Sequence, residues 1–372
     1  MGDFEEALDA VRRRLDRARD ADDPALMLDP AAVAEADRLE ALLSGDGADA
    51  IPAMIALGWV YSYRYSALSD DAGRRKYFDR AIESFTTCFC LLAVFRDGDI
   101  PEIPAALMPQ VAIRAAEAGG RWLDAARSDP DPARPVMSVR LWQRIVAVTD
   151  AGHPGRAIFL SQLGAALLLR SERTGDRADL DAAIQSARDA LAILPADDQD
   201  RAGYLNKLGA ALLRRADLAK ALADLDEGIQ FIWDALTAAP EGHPDHAACL
   251  GTVASAFQVR FEHRGVRADL DAAIQFGRWA VDAFPDGDPA RAVCLASLQL
   301  SLTARFRETG KLEDLDDVIE AVRSGLASPT ASLIVACCLV TWAWCCSTGT
   351  SSPERWRTWM APSPRTATRW PP

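Results

Sequence analysis

The side chains best equipped for chemistry are few: four histidines and eight cysteines among 372 residues. His246 and Cys249 stand at i and i+3, which puts an imidazole and a thiol on one helix face, able to pair or to ligate a metal. Cys337-Cys338 and Cys345-Cys346 bring four thiols near one another in sequence. They come as doublets, however, which do not match the CxxC spacing of a zinc site. Asp179 and Asp181 flank Leu180, and this triplet of paired carboxylates returns three times. Each arrangement has a structural reading that accounts for more of the chain. Arg156, Arg201 and Arg291 lie at multiples of 45 residues from His246, which marks a surface position. His153 and His243 lie 90 residues apart at equivalent helix starts, and His263 sits near a helix end, where a cation is favoured. Two carboxylates in a first helical turn favour the positive end of the helix dipole and cap free N–H groups, which explains the triplets without a metal. No phosphate-binding glycine loop and no nucleophile motif occurs. The chain reads as a non-enzyme with no metal and no cofactor.

What positions these residues is a repeat. Asp179-Leu180-Asp181 returns at 224, 269 and 314, each time 45 residues on. Arg170, Arg215, Arg260 and Arg305 keep the same step, as do Leu160, Leu205, Leu250 and Leu295. Pro195, Pro240 and Pro285 close the units. A fixed period without slippage means stacked, near-identical supersecondary units rather than one folded-in core. Each unit carries two helices. Helix A of the first copy, about 155–173, has Leu160, Leu163, Gly164 and Leu167 on one face, at i, i+3, i+4 and i+7. It is predicted to start after His153-Pro154, with proline in the first turn, and to stop at Thr174-Gly175 on a left-handed glycine cap. The second copy has Ala219-Lys220 at that point, which predicts a less sharply defined turn. Helix B, about 178–193, opens on the Asp-Leu-Asp triplet. The expected fold is all-α, a right-handed superhelical solenoid of antiparallel helix pairs.

Around this array the chain divides into five stretches. Residues 1–50 form an N-terminal helical cap, with Asp29-Pro30 opening its second helix. Residues 51–152 are diverged helical repeats. There Leu57-Gly58 precedes Arg64 by six residues, as Leu163-Gly164 precedes Arg170, and a four-residue insertion separates Gly58 from Ile82. Residues 153–330 hold the four regular copies, 331–346 an unpaired terminal helix, and 347–372 a tail expected to be disordered. The apolar run from Leu333 to Cys346 is short of the roughly 20 residues that span a bilayer. It fits the start of a further helix A whose uncovered face would favour self-association.

Composition narrows the partners. A formal charge of −13 argues against a nucleic-acid backbone or an anionic membrane, since either needs a basic face. The opening residues lack the basic and apolar regions of a secretory signal, and Glu6 breaks the myristoylation pattern. Cys249 and Cys294 share the column of Phe159 and Tyr204, and Cys88 and Cys90 fall in the apolar stretch from Phe85 to Leu92. All four read as buried hydrophobes, so a reducing, cytoplasmic setting is expected.

The period of 45 lies in the range of HEAT units, but the residues resemble the tetratricopeptide (TPR) family. The Leu163-Gly164 and Leu208-Gly209 pairs are similar to that family's small-residue contact. Ala183, Ala187 and Ala190 followed by Pro195 resemble its helix-B ladder and terminal proline. The stretch from Leu163 to Pro195 also looks like the long repeats of actinobacterial proteins that commonly precede a CHAT domain, a caspase-like peptidase fold. That resemblance implies an effector or signalling context, and it carries over no catalytic residue.

Two readings of function follow. One is an interaction scaffold that holds a protein or peptide partner on the concave face lined by helix A, with Gln162, Asn206, Lys207, Gln258, Arg260 and Gln299 as candidate contacts. The other is a truncated or split regulatory part of a CHAT-type peptidase effector. The tail bears on this choice. From Ser347 to Pro372 it has no Leu, Ile, Val or Phe but three Trp, four Arg and five Pro, which fits an out-of-frame reading of a GC-rich gene as well as a divergent terminus. Sequencing the gene in all forward frames decides it: a frame that resumes the 45-residue pattern supports the first origin, and none that does removes it.

Overall fold

The computed structural model describes residues 2–43, 47–95, 102–219, 221–285, 288–311, 313–314 and 316–317. Among these the protein is all-α, with thirteen α-helices, one 3-10 helix and no strand. The chain forms two compact units, Met1–Pro195 and Ala196–Pro372, divided between two copies of the repeat. The unpaired helix expected at 331–346 and the disordered tail expected at 347–372 fall outside the described residues.

The first unit holds α1 (Gly2–Asp20), the 3-10 helix Pro24–Leu28, α2 (Pro30–Leu42), α3 (Ala50–Ala67), α4 (Asp71–Phe95), α5 (Met108–Ser128), α6 (Ala133–Val148), α7 (Arg156–Thr174) and α8 (Arg177–Ile193). Leu8, Val11, Leu15 and Ala18 line the buried face of α1 at helical spacing. Asp29 caps α2 by accepting the Ala31 N–H at 2.9 Å. Arg14 clamps α1 to α2: it donates twice to Glu35, at 2.8 Å each, and once to Asp29 at 3.2 Å. Those bonds hold the Glu35 carboxyl below the usual carboxylate range.

The second unit holds α9 (Arg201–Ala219), α10 (Leu222–Ala238), α11 (His246–Arg264), α12 (Arg267–Ala283) and α13 (Pro289–Thr309). Among the described residues α3 packs on α4, α5 on α6 and α7 on α8 in the first unit, and α9 on α10 and α11 on α12 in the second. Each second helix then packs on the next first helix within its unit (α4 on α5, α6 on α7, α10 on α11, α12 on α13), and α5 touches α7, α9 touches α11 and α11 touches α13.

Small residues set the closeness of each pair. A Cβ built at Gly58 of α3 would lie 2.6 Å from the Phe85 ring of α4, and one at Gly209 of α9 only 2.4 Å from Ile232 of α10. At Gly119 of α5 it would meet Trp142 of α6 at 3.0 Å. Gly119 and Trp142 lie 45 residues before Gly164 and Ala187. The pair α5/α6 thus keeps the same 45-residue step. The four residues inserted after Gly58 form one extra turn at the start of α4, about the 3.6 residues that restore the same face.

The helix boundaries show what the His/Asp column does. His153 Nδ1 accepts the Gly155 N–H at 3.0 Å, and His243 Nδ1 accepts the Asp245 N–H at 3.1 Å. Asp198 and Asp288 accept the N–H two residues on in the same way, at 2.9 and 2.8 Å. Histidine and aspartate alternate because each offers an acceptor at the same reach from Cβ. Pro154 and Pro244 thus lie in the turn before the helix rather than in its first turn, while Pro289 does open α13. Gly175, Gly265 and Gly310 end their helices at φ of 74°, 65° and 67°, the left-handed cap that the glycines predict. The second copy lacks it, and its link passes through Lys220, outside the described residues.

Cys88, Cys90, Cys249 and Cys294 are free thiols, packed among apolar side chains. Burial pushes Cys88 and Cys249 up to about 12, and Cys90 and Cys294 up to about 11. All four are therefore expected to resist iodoacetamide at pH 8 in the native protein and to react fully once it is denatured. Peptide mass mapping reads this site by site, and rapid native labelling at any of the four would contradict it.

Candidate partner-binding surface

The conspicuous charged residues of the repeat turn out to hold it together. Arg170 donates to Asp179 with two nitrogens, one at 2.6 Å, and Arg215 forms the same fork on Asp224 at 2.8 Å twice. Arg260 reaches Asp269 at 2.6 Å, and Arg305 reaches Asp314 at 2.6 and 3.0 Å. The first Asp of each triplet therefore answers the Arg of helix A in its own copy. The second Asp can reach into the next copy: Asp226 accepts from Arg264 at 2.9 Å and Asp271 from Arg305 at 3.1 Å. This corrects the capping role expected of these carboxylates. In the first copy the cap is Asp176, which accepts the Ala178 N–H at 2.9 Å. The constant spacing of nine residues between the Arg and Asp columns is the sequence signal that carried the pairing. In the diverged copy Tyr77 occupies the Asp column, and the Arg64 guanidinium lies 4.5 Å from its ring centre, so a cation–π contact replaces the ion pair.

A second set of donors closes the preceding helix. Arg156 bonds the Val146 carbonyl at 3.0 Å, Arg291 the Val281 carbonyl at 3.2 Å, and His246 lies 2.7 Å from the Ala239 carbonyl through Nδ1. His246 is half-buried, not a surface residue, because its column supplies a donor to carbonyls that a helix end leaves unpaired. Among the described residues no group of three or more His, Cys, Asp or Glu gathers to hold a metal. The doublets at 337–338 and 345–346 lie outside them.

What remains open is one stripe of helix A. In the second unit it runs through Gly203, Lys207, Ala210 and Arg214 on α9, through Ala248, Thr252, Ser255 and Val259 on α11, and through Val293, Ser297, Leu300 and Ala304 on α13. All twelve are exposed or half-buried, and the three helices touch in order. Only Lys207 and Arg214 among them are charged, in a chain that is 26% charged. Thr252 and Ser255 turn their hydroxyls onto the carbonyls one turn back, at 3.0 Å each, which lowers the polarity further. Val293 and Leu300 stand 54% and 50% exposed. In the first unit α7 carries the matching stripe of Ile158, Gln162, Ala165 and Leu169.

Of the candidate contacts, Gln162 and Lys207 share one column of this stripe, and Lys207 leans over the Tyr204 ring at 5.5 Å. Asn206 is its half-buried neighbour, with a buried Oδ1 that has no hydrogen-bond partner. Gln258 ties α11 to α13, accepting from Ser301 at 2.6 Å while donating to Glu262 at 2.8 Å. Arg260 is engaged with Asp269 and lies 4.7 Å from the Phe257 ring centre. Gln299 occupies the small-residue column of Gly164, Gly209 and Ala254 and is 1% exposed, so it points into the packing. Val293 and Leu300 carry no polar signal in the sequence, and the open stripe is set apart by its lack of charge.

Among solved structures, the chain is similar to the nearly identical TPR-like repeats of a kinesin light chain type protein from Podosopora anserina. The identity is 16% over 61% of this chain and 97% of that one, with a TM-score of 0.40. A single-substitution variant of the same protein matches at 15% identity over 59% and 96%, with a TM-score of 0.41. No protein-family model matches the chain, and no curated protein sequence does. The all-α array of helix pairs stands on its own helices and their register. No helix among the described residues is long and apolar enough to cross a membrane.

Proposed function

We propose that the protein is a non-catalytic interaction scaffold, and that a segment of a protein partner lies across α9, α11 and α13. The charge-poor, half-apolar stripe on three adjacent first helices carries this reading. Surface of that kind is kept open only at some cost in solubility, and arrays of helix pairs present such extended faces to partners. Lys207 and the neighbouring Asn206 are the polar contacts retained from the sequence, with Val293 and Leu300 as the apolar anchors, and Gln162 holds the column of Lys207 in the first unit. The resemblance of Leu163–Pro195 to repeats that precede CHAT domains supports a second reading, the regulatory part of a peptidase effector. A CHAT-coding frame downstream would favour it.

Leu300→Glu and Val293→Glu place charge on exposed positions and are expected to leave the fold intact. Each should lower recovery of the specific partner from source-cell lysate about tenfold or more, as loss of an apolar anchor does at other interfaces. Gln275→Glu, exposed on α12 away from the stripe, is the control. Equal recovery by all three variants would remove the helix-A face from consideration.

A further inference from the structure

Two surface columns of the second helices change character in neighbouring copies. Arg188 of α8 and Arg278 of α12 share a column in which α10 carries Trp233, and Asp189 and Asp234 share one in which α12 carries Trp279. Both indoles stay exposed, at 37% and 46%. They are thus large apolar rings in positions that other copies give to charge, and although Trp233 meets the buried Phe257 edge-on at 6.2 Å, both leave much of their faces to solvent. Phe276 joins them, with edge-on ring centres 5.5 Å from Trp233 and 5.0 Å from Trp279.

Beside this aromatic ladder runs a groove of about 810 Å³, bounded by the ends of α10 and α12, the start of α11 and the loop before it. Leu236, Leu250, Phe276, Trp279 and Phe284 make its apolar wall. The charged side chains on it are Glu241, Asp282 and Asp288, and among the described residues no lysine or arginine lines it. The Nδ1 atoms of His243 and His246, on the same wall, are taken up by the Asp245 N–H and the Ala239 carbonyl.

We propose that this groove docks a basic peptide segment of a protein partner, with arginine or lysine side chains stacked on Trp279 and Trp233 and their charge met by Glu241 and Asp282. An indole is the strongest cation–π acceptor among the side chains, and a wall charged only with carboxylates selects cations over anions. The chain's net charge of −13 steers the same class of ligand toward it. The occupant differs from that of the helix-A stripe, which is uncharged apart from two basic residues. The groove is a second surface and stands independently of the function proposed above.

The test uses the full chain and a short fluorescein-labelled peptide of arginine, leucine and proline, read by fluorescence anisotropy, beside a version with glutamate in place of arginine. The basic peptide is expected to bind and to weaken with salt, and the acidic one is not. Trp279→Asp and Trp233→Arg restore residues that other copies carry, so the fold tolerates them, and each should weaken binding about tenfold. Glu241→Gln with Asp282→Asn should flatten the salt dependence. Equal binding of the two peptides, or unchanged binding in Trp279→Asp, overturns the proposal. So does a dimer that Trp279→Asp dissociates, which would give the groove to a second copy. Binding gained only on deleting 347–372 would overturn it too, by giving the groove to the chain's own arginine-bearing stretch. Leu300→Glu is expected to bind the peptide normally, so the two surfaces fail separately.

Discussion

Breaking the Arg260–Asp269 pair with Asp269→Ala is expected to cost the second unit roughly 2–3 kcal/mol. A fully buried pair costs about 3–5 when one partner is removed, and solvent reaching the arginine lowers that. The asymmetry of the pair sets the size: the Asp269 side chain is 8% exposed and that of Arg260 25%. Removing the carboxylate leaves a guanidinium that is three-quarters covered and over the Phe257 ring, with its charge unanswered. The double variant Arg260→Met with Asp269→Leu should lose less than Asp269→Ala alone, because no stranded charge remains. Urea unfolding followed by circular dichroism measures both. A double variant less stable than the single would mean that the pair stabilises by attraction rather than by mutual cancellation of desolvation. Asp226→Ala, whose carboxylate is exposed and reaches Arg264 of the next copy, should cost under about 1 kcal/mol.

Gly209→Ala is the second large effect, and its sign is the informative part. In an open helix the change would stabilise by about 1 kcal/mol through helix propensity alone. Here the added methyl would sit 2.4 Å from Ile232 Cγ1 and 3.0 Å from the Gly228 carbonyl oxygen, so α9 and α10 must move apart. A net loss of about 1–3 kcal/mol is expected from overpacking. Ile232→Ala in the same chain should relieve part of the clash, so that the double variant costs less than the two single changes summed, since the first copy pairs Gly164 with Ala187 at that contact. The backbone oxygen stays in place, so recovery should be partial. A higher urea midpoint for Gly209→Ala would show that the helices separate freely and that close backbone approach is not what the glycine serves.

These two contacts show where a sequence reading succeeds and where it stops. The Arg and Asp columns and the glycine column were all visible as periodic signals. Their functions were not equally visible. Glycine followed by a break at the end of helix A has one economical explanation, a positive φ, and the caps at Gly175, Gly265 and Gly310 follow it. An aspartate in a first turn has two, a cap or an ion pair, and periodicity cannot choose between them. The choice depends on where helix A returns the arginine, nine residues back along the chain but adjacent in space.

The candidate contacts met the same limit. Helical spacing put Gln162, Lys207 and Gln299 on helix A, and polarity made them look accessible. Accessibility depends on which arc of helix A faces helix B, which the next helix A, and which solvent. Gln299 falls on the first arc and Gln162 and Lys207 on the last. The exposed Trp233 and Trp279 carried a signal of their own, aromatic residues in columns otherwise held by arginine and aspartate, but only the placement of Phe276 between them makes one surface.

The amino-acid sequence by itself determined the period, the helix pairing, the glycine caps and the acidic character of this protein. Each of these follows from side-chain volume, backbone permissiveness or charge at positions that repeat. Only the tertiary structure decided which repeated residues bind one another and which stay exposed. Two side chains in the same kind of helix and with the same chemistry differ in role solely through what the neighbouring helix brings within a few ångströms. The chain sets that neighbour through packing over many residues rather than through any local spacing.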